Sequence, residues 1–191
     1  MEAALAQLEG PILLWIQEVL RNGFTDPILS FYTKLGNAGM LWIVLCLALL
    51  LFRKTHRAGA AGLFALLFSL LLTNVLLKHL VARTRPWLLA EGLLPLVAEG
   101  DPNSFPSGHT SASFAAAVAL WQTVDRKWAK WAVMAAAVLM GLSRLYVGVH
   151  FPSDVIAGVL VGCFCGWAAV KILRTLETKT DLGRRLESHT K

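Results

Sequence analysis

Charge is scarce in this chain. Aspartate, glutamate, lysine and arginine make up only 16% of its 191 residues, against 56% hydrophobic residues. That balance excludes an ordinary soluble domain of this size and makes the bilayer the expected solvent. Cysteine is scarce too. Cys46, Cys163 and Cys165 all lie inside apolar stretches, and an odd number at such depth supports neither a disulfide framework nor a metal-ligand set, which leaves packing as their expected role. There is no Pro/Ser-rich or low-complexity linker and no internal repeat, so a single domain over residues 1–191 is expected. The N-terminal stretch "MEAALAQLEGPILLWIQEVLRNG" lacks a basic n-region and a small-residue cleavage site, the marks of a removable signal peptide. The formal net charge of +6 does not point to nucleic acid, because the basic residues fall in short clusters at the ends of apolar runs and in the tail.

What the chain has in abundance is long hydrophobic runs. A hydrocarbon core about 30 Å thick needs roughly 20 helical residues, and residues 58–78, 107–125, 128–148 and 152–174 each come close to that length. A fifth span centres on "MLWIVLCLALLLF", residues 40–52, and must start before Gly39 to reach full length. Residues 3–22 are interrupted by Gln7, Glu9, Gln17 and Glu18, and read either as a first span with a polar inward face or as a helix lying in the interface. The expectation is an all-α integral membrane bundle of six helices, five of them firm spans and the first a weaker amphipathic helix.

Lysine and arginine in the short joints set the orientation. "RKTHR" at 53–57, "DRKWAK" at 125–130 and the tail 175–191 belong on the cytoplasmic side. Residues 79–108 and the joint near 144–152 then face the opposite, extracytoplasmic side. Trp42, Trp87, Trp121 and Trp128 fall near predicted helix ends, as interfacial anchors do. Gly158, Gly162 and Gly166 recur every fourth residue and make a flat ridge, suited first to close packing within the chain and second to a homodimer.

Against this topology, Lys78, Arg83, Arg85 and Arg144 sit on the outer side at helix ends, where charge near lipid is costly. An anion is expected to meet them. Pro86 ends the helix that carries Lys78 and pushes Arg85 out of the helical region, so lysine and arginine converge from different heights. In "SFPSGHTSAS", residues 104–113, Ser107 can cap an alanine-rich helix and Gly108 lets another group approach the backbone. The first amides of that helix have no internal acceptor and carry partial positive charge, which suits a phosphate. His109, in the first turn, can hand a proton to a leaving group. In "SRLYVGVHFPSD", Arg144 closes one helix and Pro152 opens the next. His150 precedes that start, and Asp154 can hold the imidazole Nδ1 hydrogen and leave Nε2 free as a nucleophile.

Three motifs in this order resemble the signature of the type 2 phosphatidic acid phosphatase (PAP2) superfamily. Lys78, six residues, then Arg85-Pro86 matches its first part; Pro106-Ser107-Gly108-His109 matches the second. Ser143-Arg144, five residues, His150, three residues and Asp154 match the third. The resemblance spans about residues 58–174. It implies a bundle of six membrane helices with its site at the outer membrane-water boundary. In that family His150 would attack phosphorus to form a phosphohistidine, Asp154 would hold it, and His109 would protonate the leaving oxygen and then activate water. Lys78, Arg85 and Arg144, with the Ser107 hydroxyl and the Gly108 and His109 amides, would bind the phosphoryl oxygens. These cations take the part metal ions play elsewhere, so neither a metal nor another cofactor is expected. Arg83 lies outside the motif and receives no catalytic role.

A site at headgroup depth suits an amphiphile, and a membrane lipid phosphate is the expected substrate. Undecaprenyl diphosphate is the first choice, followed by phosphatidylglycerophosphate and phosphatidic acid. Phosphotransfer to an acceptor other than water is a second enzymatic class, and anion binding without turnover is a non-enzymatic one. Binding alone has no need of His150, Asp154 and His109 in those stations.

Overall fold

In the computed structural model, which describes the backbone of residues 2–189 and the side chains of residues 4–179, the N-terminal stretch forms α1, Glu2–Trp15, prolonged by a wide π turn over Ile16–Leu20. Leu13 and Ile16 are buried on its inner face, and Glu9 points inward with them. Helix α2, Thr25–Leu35, follows as an element of its own. The span expected to start before Gly39 is interrupted there. Ala38 and Gly39 both take left-handed backbone angles, φ 51° and 72°, and α2 meets α3, Met40–Leu50, at a bend of 54°. Left-handed residues cannot continue a right-handed helix, which is why the apolar run reads longer than the helix it makes.

Helix α4 is one rod from His56 to Val81. Its middle, Leu70–Leu77, is wound as π-helix before the last turn, Lys78–Val81. Ala82, at φ 47°, stops it; Arg85 is extended and leads into the short α5, Pro86–Leu89. After a loop over 90–107 come α6, Gly108–Thr123, α7, Lys127–Tyr146, and α8, Pro152–His189. The stretch read as a cytoplasmic tail, 175–191, continues α8 as far as His189; positions 190 and 191 lie outside the described residues. No strand occurs among the described residues, where Thr84 and Asn103 form a single antiparallel bridge. By length and composition α4 and α8 can each cross a membrane, and the bent α2–α3 pair adds a third candidate.

Helix α6 lies at the centre, packed by α4, α7 and α8. Its alanines 115, 116, 117 and 119 are fully buried, and small side chains let the flanking helices approach closely. The glycine ridge of α8 is used here, inside the chain. A Cβ at Gly158 would stand 2.8 Å from the Ser107 carbonyl, and one at Gly162 would stand 2.5 Å from that of Ser111. Helices α4 and α6 are further joined by the Ser111 hydroxyl, 2.7 Å from Ser69 Oγ and 2.8 Å from Thr73 Oγ1. Trp42 is a correction to the aromatic belt. It is buried in the core and donates its indole N–H to Ser113 Oγ at 2.8 Å, whereas Trp128 remains exposed at the start of α7.

Candidate active site

The ends of α4, α6, α7 and α8 meet on one side of the bundle, around a cavity of about 460 Å³. Lys78, Arg85, Gly108, His109 and His150 are in its wall. Arg144, Ser107 and Asp154 stand behind that wall, all three fully buried. The sequence motifs therefore converge, but in two layers.

Ser107 caps α6 from an extended backbone, and its own amide donates to the Asp154 carbonyl at 3.0 Å. Its hydroxyl accepts from Thr110 Oγ1 at 2.9 Å, which leaves its own O–H free to donate. Gly108 does admit a close approach, since a Cβ there would stand 2.9 Å from Asn74 Oδ1. That Asn74 oxygen is buried and has no hydrogen-bond partner among the described residues. His109 Nε2 lies 3.0 Å from Asn37 Oδ1, in the break between α2 and α3. An amide oxygen accepts only, so this contact puts the imidazole proton on Nε2.

His150 sits in the tight joint between α7 and α8. Arg85 Nη1 donates to the Val149 carbonyl at 2.9 Å and lies 3.2 Å from His150 Nε2. A guanidinium can only donate, so Nε2 accepts and the ring proton resides on Nδ1. Nδ1 faces Asp154 Oδ2 at 3.6 Å, longer than a hydrogen bond by roughly 0.5 Å. Burial, reinforced by the charges of Arg144, Arg85 and Lys78, pushes His150 well below its usual pKa and keeps it neutral.

Two residues outside the motifs secure Asp154. Its Oδ2 accepts the Phe151 amide at 2.8 Å, and its Oδ1 accepts from Arg83 Nη1 at 2.8 Å. Arg83 also donates to Ser153 Oγ at 2.6 Å and to Glu9 Oε2 at 2.8 Å. Glu9 closes the network by accepting the Ser153 amide at 3.1 Å. An acid at an inward-facing position of a membrane-like first helix signals such a buried partner, although it does not say which cation.

The loop over 90–107 adds two more acids. Glu99 pairs with Arg144 and lies 3.6 Å from Arg85 Nη2, while Arg144 Nη1 donates to Thr33 Oγ1 at 2.6 Å. Asp101 pairs with Lys78, accepts the Asn103 amide at 2.8 Å, and gives its carbonyl to Arg85 Nε at 3.1 Å. Burial opposes ionisation of Asp101, but the Lys78 hydrogen bond leads the contributions that hold its carboxyl below the usual value.

The PAP2 superfamily model matches residues 58–177, which include every motif residue of this site. The chain belongs to the PAP2 superfamily. It is similar to an undecaprenyl-diphosphatase of Sulfolobus acidocaldarius, 33% identical over 148 residues that cover 78% of this chain and 70% of the relative. A lipid A 4'-phosphatase of Bacteroides thetaiotaomicron is 26% identical over 93% of this chain and 84% of its own. The crystal structure of a transmembrane PAP2-type phosphatidylglycerolphosphate phosphatase from Bacillus subtilis superposes with a TM-score of 0.69 and 26% identity, over 91% of this chain and 85% of that one. This PAP2 protein is thus a membrane phosphatase.

Proposed function

We propose that the chain hydrolyses a lipid phosphate or diphosphate through a phosphohistidine on His150, with undecaprenyl diphosphate as its first substrate. One observation carries the lipid reading. The cavity that holds Lys78, Arg85, His109 and His150 continues along Ile43, Leu63, Leu66, Leu67 and Leu70, and Leu67 and Leu70 are about half exposed on the outside of the bundle, at 49% and 50%. Charged head and apolar wall are one continuous surface, which suits an amphiphile entering from the bilayer.

In this mechanism His150 Nε2 attacks phosphorus while the bond to the leaving oxygen breaks. His109 supplies the proton that the departing oxygen needs. Water then attacks the phosphohistidine, His109 takes a proton from it, and the nitrogen-phosphorus bond breaks to release phosphate. Undecaprenyl diphosphate would leave as undecaprenyl phosphate. Lys78, Arg85 and Arg144, with the Gly108 and His109 amides, stabilise the charge of the transferring group. Asp154 acts on the Nδ1 side of His150, and a small rotation of the ring would close the remaining gap. Six spans follow if α1, the α2–α3 pair, α4, α6, α7 and α8 each cross, with the site extracytoplasmic and α8 ending in the cytoplasm.

The test is phosphate release by the detergent-purified protein, with EDTA present, from undecaprenyl diphosphate, phosphatidylglycerophosphate, phosphatidic acid and a lipid A phosphate. Release that survives chelation and is lost in His150→Ala is expected, with undecaprenyl diphosphate turned over fastest. Full activity in His150→Ala would refute the phosphohistidine, and a different ranking would reassign the substrate.

A further inference from the structure

The predicted phosphate ligands are already occupied. Arg85 and Arg144 have side chains only 1% exposed, and both face the Glu99 carboxylate, which is itself 15% exposed. Asp101 does the same for Lys78. A carboxylate and a phosphoryl group present the same pair of oxygens to a guanidinium fork. Two buried guanidiniums without an anion would be strongly unfavourable, so the loop acids stabilise the empty site.

The outer loop is built to present them. Its two ends are tied to the bundle, by the Leu96 amide to the Val147 carbonyl at 3.0 Å and by the Ser104 amide to the Arg83 carbonyl at 2.7 Å. Glu99 and Asp101 lie on the stretch between these anchors, and both are in the cavity wall beside His109 and His150.

We propose that Glu99, assisted by Asp101, is a resident anion of the phosphate subsite, so that a substrate binds only by exchanging its phosphoryl group for the glutamate. This makes Glu99 a specificity-determining residue. A phosphoryl dianion that engages both arginines can displace it; a carboxylate or a singly charged headgroup offers no gain over what is already there. Apparent affinity is the intrinsic affinity reduced by the fraction of protein in which Glu99 has let go. The inference rests on the reading of Arg85 and Arg144 as phosphate ligands, and it extends that reading to the acids opposite them.

The test uses the full chain in detergent and inorganic phosphate as probe, with binding read directly by equilibrium dialysis rather than by turnover. Glu99→Gln should bind phosphate on the order of ten- to a hundredfold more tightly than wild type, the worth of one charge-assisted hydrogen bond. Asp101→Asn should show a smaller change in the same direction. Glu91→Gln, which removes an exposed loop charge outside the cavity wall, should bind as wild type. Arg85→Ala should lose binding. If Arg85→Ala loses binding while Glu99→Gln is unchanged or weaker, the exchange is wrong and the phosphate site stands. Equal tightening in Glu91→Gln would reduce the effect to overall charge and overturn the proposal. Undiminished binding in Arg85→Ala would remove the phosphate site itself, and the exchange with it.

Discussion

Arg83→Met tests whether a residue outside the phosphate site governs the chemistry inside it. The guanidinium lies between Glu9 and Asp154, at 2.8 Å from each, and Asp154 is fully buried. Removing it leaves two inward-facing carboxylates without their cation, a loss of about 3 to 5 kcal/mol for a broken buried pair. For a domain of this length that corresponds to a fall in unfolding temperature on the order of 10 °C. The kinetic signature is more discriminating. Arg83 is bound to Asp154 and Glu9 and is not one of the proposed phosphate ligands, so its loss should leave KM near wild type while kcat falls about a hundredfold, because the Asp154 carboxylate no longer holds its place against His150. Glu9→Gln, which keeps one of the two acceptor oxygens and leaves the Arg83–Asp154 pair in place, should fall less. The assay is steady-state phosphate release beside thermal unfolding in the same detergent. A raised KM with unchanged kcat would refute the reasoning, since it would make Arg83 a headgroup contact, and unchanged stability would show that the buried network carries no weight.

Gly162→Ala should destabilise the protein by about 1 to 3 kcal/mol through overpacking, because its Cβ would meet the Ser111 carbonyl at 2.5 Å; Gly23→Ala, with nothing within 4 Å, should be neutral in the same melting assay. Arg144→Lys should raise KM about tenfold, as an ammonium cannot span both Thr33 and the anion opposite, and initial-rate measurements would detect it. Stability should fall on acidification through His150. Its folded-state pKa lies well below the ordinary value, so above about pH 6.5 both states are neutral and nothing is lost. As pH drops below that value the unfolded chain takes up a proton the folded one refuses, at a cost of up to about 1.4 kcal/mol per pH unit. Unfolding temperatures from pH 7 to 5 should therefore decline more steeply in wild type than in His150→Gln, and parallel curves would contradict the linkage.

The residues of the motifs were legible because local backbone chemistry places them. Proline ends or opens a helix within a residue or two, a serine caps one, and these signals set Arg85, Ser107 and Pro152 at helix boundaries in the structure. Tertiary partners were not legible in that way. Arg83 meets Glu9 across 74 positions, and Asn37 reaches His109 across 72; no spacing rule connects such pairs. The separate helix α2 was hidden because "TDPILSFYTKLGNAG" is too polar to read as membrane, and the reading said only that the fifth span begins before Gly39. Trp42 misled for a related reason. Its position near a helix end resembles an anchor, while its indole partner, Ser113, becomes its neighbour only when α3 packs near α6.

The π-wound middle of α4 sets the compass bearing of its last turn. Each residue of an α-helix advances about 100° around the axis, and a wide turn holds an additional residue within one revolution. Ser69, just before the segment, and Thr73, within it, both reach the Ser111 hydroxyl of α6, and Ser69, Asn74 and Lys78 all line the cavity. The wide winding thus keeps Ser69, Asn74 and Lys78, five and then four residues apart, on one stripe of a single rod. Deleting one residue from it would swing Lys78 by about 100° around the axis, off the stripe that lines the cavity.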